Sequence, residues 1–271
     1  MKPIATRVGL IIDGDNRFLG RSVFDDWATR LSSPTEAMMA ALGVEVNAEN
    51  AEAFRLIALC GMSPDARVWP LKLTRLLSSW GDPVAGFFGA QLVTAGRVMG
   101  PGAAGGAAVM LSWFDTHLGA TPTGPEVAEA LAKWKREHPG PLLGFGVPFR
   151  AVDERRAAML KLSHGRPVSK RRFWQLHLRL AEALPAVPPN VALCFAALLL
   201  DSGVPPEHCG LATSHLMSHV FLAHAIEGAK TDGAVNVWPE GAVEFHGTPA
   251  RRMGDGRRAE VPAALVREAA R

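Results

Sequence analysis

Two short stretches narrow what this chain can fold into. Ser33-Pro34-Thr35-Glu36 and Thr123-Gly124-Pro125-Glu126 each offer a hydroxyl cap, a proline in the first helical turn and a glutamate three residues after the cap, placed to reach back to the cap's own N–H. After the second, Val127, Leu131 and Trp134 recur at helical spacing until His138-Pro139-Gly140 ends the element. After the first, the helix should stop at Gly43. The same spacing predicts helices over 51–60, 68–80, 83–99, 107–117, 153–162, 170–184, 191–202 and 211–228, with Gly100-Pro101-Gly102 read as a break. Before them, 7–12 and 17–20 should pair as a hairpin around Asp13-Gly14, and near the end 235–238 and 243–245 should form a second one. The fold class expected is all-α with minor β-hairpins.

At 271 residues the chain suits one large domain, or a large and a small lobe sharing a core. With 48% hydrophobic and 20% charged residues it has enough apolar surface to offset chain entropy. Its net charge of +3 and pI of 9.0 come from charges spread along the sequence, so no nucleic-acid partner is expected. The most apolar stretch, 83–99, contains Gln91 and Arg97 and is shorter than a bilayer span; it is read as a buried core helix, with no membrane partner. Cys60, Cys194 and Cys209 make no CxxC pair, and acidic residues arrive too early in MKPIATRVGLIIDGDN for a secretory signal, so a cytoplasmic location is expected.

Function enters through the order of six motifs. Gly20-Arg21-Ser22-Val23-Phe24-Asp25-Asp26-Trp27 is followed by Cys60-Gly61-Met62-Ser63-Pro64 and then by Gly102-Ala103-Ala104-Gly105-Gly106-Ala107. Next comes the loop Gly144-Phe145-Gly146-Val147-Pro148 with Asp153-Glu154-Arg155 behind it, then Pro189-Asn190-Val191-Ala192. Last is Gly203-Val204-Pro205-Pro206, running to Leu222-Ala223-His224-Ala225-Ile226-Glu227. The set resembles, in order, the motif series of the citrate synthase and citryl-CoA lyase superfamily. The resemblance implies large and small helical lobes, with 1–120 and 212–271 in the large one and 121–211 in the small one. It also implies a homodimer and a cleft for an acyl-CoA thioester and a carboxylic acid.

Chemistry in that family needs a base for an α-carbon proton and donors for an enolate oxygen. The resemblance sets Ala104, Ala192 and Val147 where its proton-transfer histidine, aspartate and second histidine stand, Cys60 where a substrate-binding histidine stands, and Met217 in place of a carboxylate-binding arginine. Alanine and valine neither exchange protons nor donate side-chain hydrogen bonds. Arg155 matches the family's remaining carboxylate-binding arginine. The chain is thus expected to be a degenerate member with a remodelled site: either an enzyme making or breaking a carbon–carbon bond, other than by ordinary citrate synthesis, or a non-catalytic binder of a metabolite or partner subunit.

His215 and His219, one turn apart, are candidates for replacement acid–base chemistry; His224 points away from both, so no metal is expected. Gly144 and Gly146, with the basic run Lys161, Arg166, Lys170, Arg171 and Arg172, are candidates for holding coenzyme A, the alternative for the run being a solvated helix face. Cys60, beside Leu56, Ile57 and Leu59, is read as a buried structural thiol rather than a reactive one.

Overall fold

A computed structural model describes residues 6–12, 14–30, 33–62, 65–94, 96, 100–119, 122–147 and 152–231, all within one compact unit, Met1–Ala234. The expected hairpin over 235–245 lies outside them. The chain opens with a three-stranded antiparallel sheet, β1 (Gly9–Ile12), β2 (Asp15–Phe18) and β3 (Arg21–Ser22), in which Gly9 pairs with Phe18 and Ile12 with Asp15 across the expected turn. A π turn over Val23–Trp27, its N–H at Asp25 capped by Ser22, leads into the single turn α1 (Ala28–Arg30).

Helices then follow one another. They are α2 (Pro34–Ala41), α3 (Ala48–Cys60), α4 (Trp69–Ser78), α5 (Pro83–Thr94), α6 (Pro101–His117) and α7 (Gly124–Glu137), then α8 (Glu154–Ser163), α9 (Arg172–Ala183), α10 (Val191–Asp201), α11 (Pro206–Leu216) and α12 (Ser218–Gly228). The all-α expectation holds, and both capping boxes form: Glu36 accepts from the Ser33 N–H, and Glu126 from the Thr123 N–H at 2.7 Å. The start of α3 lies three residues before the predicted one, because Asn47 caps it by accepting from the Asn50 N–H.

Three expectations are corrected. The break ends at Gly100, whose φ is +47°, and the helix expected from 107 restarts at once: Pro101 occupies the first helical turn, and α6 runs straight through Gly102, Gly105 and Gly106. Those glycines serve packing. A Cβ on Gly210 of α11 would come within 3.0 Å of the Pro101 carbonyl oxygen, and one on Gly106 within 2.1 Å of Leu143. The predicted helix over 211–228 starts earlier, at Pro206, and is interrupted at Met217, whose φ of −90° and ψ of −1° turn the chain between α11 and α12. The third correction concerns α5, expected to be a buried core helix. It buries only Gly86, Ala90 and Thr94, a small-residue stripe at i, i+4 and i+8, while Val84, Phe88, Leu92 and Val93 are all more than half exposed. Bulky side chains stay outside because the inner contact is so close: a Cβ on Gly86 would lie 1.7 Å from the Ser78 Oγ.

The buried helix is instead α10, in which every residue from Val191 to Leu200 is out of solvent. A helix apolar on all sides must be surrounded, and α10 packs against α3, α6, α8, α9 and α11. At its far end Asp201 accepts from the N–H groups of Phe173 and Trp174, both at 2.8 Å, so the last residue of α10 caps the start of α9. Burial pushes the Asp201 carboxyl up to about 6, although those two N–H groups and the Arg171 charge favour its ionised form. The folded chain therefore binds this proton more tightly than the unfolded one, and the stability it supplies is present at low pH and lost as pH rises from the ordinary value of 3.8 through about 6. In thermal melts from pH 7 to 4, wild type should gain relative to Asp201→Asn as pH falls; a constant difference would refute the assignment.

Candidate functional site

The site is built where the glycine loop meets the beginnings of α8 and α10. The loop is tied down by main chain. Phe145 forms a β-bridge with Pro189, the Gly146 N–H donates to the Pro188 carbonyl at 2.7 Å, and the Asn190 N–H donates to that of Gly144 at 2.9 Å. Gly144 and Gly146 hold φ of +88° and +83°, a region that suits glycine. At Gly144 space is short as well, since a Cβ would sit 3.1 Å from Ala107 of α6 and from Leu193 of α10. Asn190 completes the clasp: its Nδ2 donates to the Gly146 carbonyl at 2.9 Å, while its Oδ1 caps α10 by accepting from the Ala192 N–H at 3.0 Å.

Asp153 is the second anchor. Its carboxylate, 2% exposed, accepts from the Arg155 N–H and so caps α8, and from the Val191 N–H at 2.9 Å, which opens α10. It also takes the Arg155 side chain as a fork, Nε at 2.9 Å and Nη2 at 3.0 Å. Burial alone would raise the Asp153 carboxyl; Arg155's hydrogen bonds and charge and the Val191 N–H outweigh it and hold it below the ordinary carboxylate range.

The residues singled out from sequence are placed as follows. Ala104 is fully buried on α6 and Ala192 is 7% exposed in the first turn of α10, while Val147 is half-buried in the loop. Gly61, next to Cys60, brings α3 close: a Cβ there would lie 3.1 Å from Met217 and from Phe195, so the Cys60–Gly61 corner, Met217 and α10 touch one another. Cys60 is 9% exposed, and burial raises its thiol pKa, in keeping with a structural thiol. His215 and His219 are exposed, on α11 and α12 respectively, either side of the Met217 break rather than on one continuous helix. His224 faces Arg75, which pairs with Glu227, and no cluster of three metal-ligating side chains exists among the described residues.

The basic run separates from the loop. Arg166 pairs with Glu52, and Arg171 donates to Glu49 at 2.8 Å and to Asn50 at 2.9 Å, so both clamp this segment onto α3. Lys170 borders an open cavity of about 440 Å³, also lined by Asp115, Leu118, Arg172, Gln175 and Arg179; no loop residue lines it. There Arg172 pairs with Asp115 and Arg179 donates to the Pro122 carbonyl.

No protein-family model matches the chain, and no curated protein matches it in sequence. Solved structures do. Citryl-CoA lyase from Hydrogenobacter thermophilus aligns with a TM-score of 0.75 at 16% identity, over 98% of this chain and 100% of that one. The chain has the citryl-CoA lyase fold. ATP citrate lyase from Methanothrix soehngenii, solved in complex with citrate and coenzyme A, aligns with a TM-score of 0.72 at 14% identity, over 92% of this chain and 43% of that one. For citrate synthase from Thermotoga maritima MSB8 the TM-score is 0.56 at 20% identity, over 76% of this chain and 55% of that one. The citryl-CoA lyase fold is thus matched along its whole length, and the other two chains over about half of theirs.

Sequence reasoning placed Arg155 as a carboxylate ligand without seeing that Asp153 already fills its fork. The signal was available in Asp153 itself, a cap-type residue two positions ahead of an arginine and at the start of a helix. Replacing Asp153 with Ala strands four donors on two residues, Arg155 and Val191, in a largely buried place, at a cost of about 2–4 kcal/mol. Urea melts at pH 7 should show that loss; a change under about 0.5 kcal/mol, the scale of an ordinary surface substitution, would show the carboxylate to be dispensable.

Proposed function

We propose that this chain binds a carboxylic acid or an acyl-CoA thioester at the junction of the glycine loop, α8 and α10, as a citrate synthase-like protein of the class that makes or breaks carbon–carbon bonds, with a remodelled site. The observation that carries the reading is the paired anchoring by Asp153 and Asn190, which sets the glycine loop against two helix N-termini and so gathers two positive helix ends beside it, a setting that favours an anion. The motif order and the citryl-CoA lyase fold support it. In this reading the cleft lies between a large lobe (1–120 and 212–271) and a small lobe (121–211), and Val147, Ala104, Ala192, Cys60 and Met217 shape it by contact rather than by proton transfer. His215 and His219 are the candidates for replacement acid–base groups, Gly144 and Gly146 for the coenzyme, with Lys170, which among the described residues pairs with no acid.

One observation favours a second reading, a non-catalytic binder: Ala104 and Ala192 are buried and bear no group that could carry a proton. Thermal melts with coenzyme A, acetyl-CoA, oxaloacetate and citrate, followed by assay of thiol release from acetyl-CoA with oxaloacetate, distinguish the two. A rise in Tm with thiol release supports an enzyme, a rise without it supports a binder, and no response to any of the four ends the proposal.

A homodimer belongs to the same reading, supported by α5. Val84, Phe88 and Leu92 form an exposed apolar stripe at i, i+4 and i+8, a pattern that asks for a cover. Phe88→Glu with Leu92→Glu should convert a dimer into a monomer in sedimentation velocity while leaving the circular dichroism unchanged; a dimer that survives both charges would exclude α5 as its contact. The three buried, unpaired cysteines support a cytoplasmic protein, and among the described residues no helix is long and apolar enough to cross a membrane.

A further inference from the structure

Near the junction one guanidinium has no ion-pair partner among the described residues. Arg155 and Arg156 stand side by side in the first turn of α8, yet their surroundings differ. Arg155 spends its fork on Asp153. The Arg156 Nε is out of solvent and meets no acceptor, and no carboxylate among the described residues forms an ion pair with it. Its charge is felt by two wholly buried neighbours, His177 of α9 and Cys194 of α10, whose Nε2 and Sγ lie 3.7 Å apart. Neither balances it: burial, aided by Arg156, pushes His177 down to about 3, and burial pushes the Cys194 thiol up to about 12, so both are neutral at pH 7. The His177 Nδ1 is likewise buried without a hydrogen-bond partner. A guanidinium Nε withdrawn from water without an acceptor is costly unless one arrives.

We infer that Arg156, rather than Arg155, is the guanidinium that receives the ligand's carboxylate, with Arg155 acting as a positioning residue that holds Asp153 and the two helix starts. The inference rests on the carboxylate reading given above. A planar two-oxygen group matches the geometry of a guanidinium fork, and the first turn of α8 adds a positive helix end. The two arginines thereby divide between architecture and recognition.

The two roles predict opposite effects on the ligand-free chain. In Arg156→Gln an unpaired buried charge is removed, so its ligand-free Tm should equal or exceed that of wild type. In Arg155→Gln the buried Asp153 carboxylate loses its partner, so its ligand-free Tm should drop by several degrees. Titrating each full-length protein with citrate and with oxaloacetate, followed by thermal melts, completes the crossing. Arg156→Gln should weaken the response by at least roughly ten-fold, and Arg156→Lys, which keeps the charge without the fork, should retain only part of it. Should Arg156→Gln respond like wild type, the inference falls while the carboxylate reading stands. Should wild type itself respond to neither acid, both fall. A shift of equal size with inorganic phosphate would overturn the assignment to a carboxylate, and a ligand-free Tm lowered in Arg156→Gln as much as in Arg155→Gln would overturn the division of roles.

Discussion

One buried carboxylate, Asp153, sets the geometry of the site. It accepts main-chain N–H groups that open two different helices, α8 and α10, and in addition the side chain of Arg155. Helix starts carry unsatisfied N–H groups and a partial positive charge, so two of them meeting inside a protein need a shared acceptor. Asp153 is that acceptor, and its lowered proton affinity shows that the donors outweigh the cost of desolvation. Asn190 extends the arrangement by one loop, joining Gly144 and Gly146 to the same end of α10. The position of the glycine loop therefore follows from hydrogen bonds to main chain and would persist whatever side chain stood at 147 or 192.

Close approach of small residues sets the rest. Gly105 faces Gly210, Gly86 sits on Ser78, Gly228 leaves no room for a Cβ beside Arg75, and Gly61 admits Met217 and Phe195. Each removes side-chain bulk where two helices cross, which brings backbones together and sends larger side chains elsewhere. On α5 the result is an apolar face turned outward; around α10 it is a helix enclosed on all sides.

These contacts explain which parts of the fold were legible in the sequence. Caps are local: Ser33, Thr123, Asp153 and Asn190 each announce a helix start within three or four residues, and all four helices begin there. Glycines inside helices are not local signals. Gly105 and Gly106 lie inside α6 although glycine is permissive, and what they pack against, Gly210 and Leu143, is distant in sequence. The same holds for the break at Met217, which no proline or glycine marks, and for the orientation of α5, whose sequence is apolar throughout. At the site, the hydrogen bonds of Asn190 to Gly146 and of Asp153 to Val191 join motifs that the sequence shows only in order. Which of two adjacent arginines is engaged by Asp153 depends on side-chain placement that spacing does not carry.

The basic run shows why charge alone was an ambiguous guide. Arg166 and Arg171 both cross to α3, reaching Glu52 and Glu49, and Arg171 also donates to the Asp201 carbonyl. Exposed pairs of this kind add little each, but Arg171 is mostly covered and binds the end of α10 and the start of α3 at once. Two charges that could have met a phosphate are therefore used in holding α3 against the far end of the buried helix. At the near end the situation is reversed: Ala104 and Ala192 bear no group that could carry a proton, and the buried Arg156 Nε has no acceptor among the described residues. Under the proposal made above, the helix starts and that guanidinium would hold the anion, and any proton transfer would fall to groups outside the buried core, such as His215 and His219, exposed on either side of Met217.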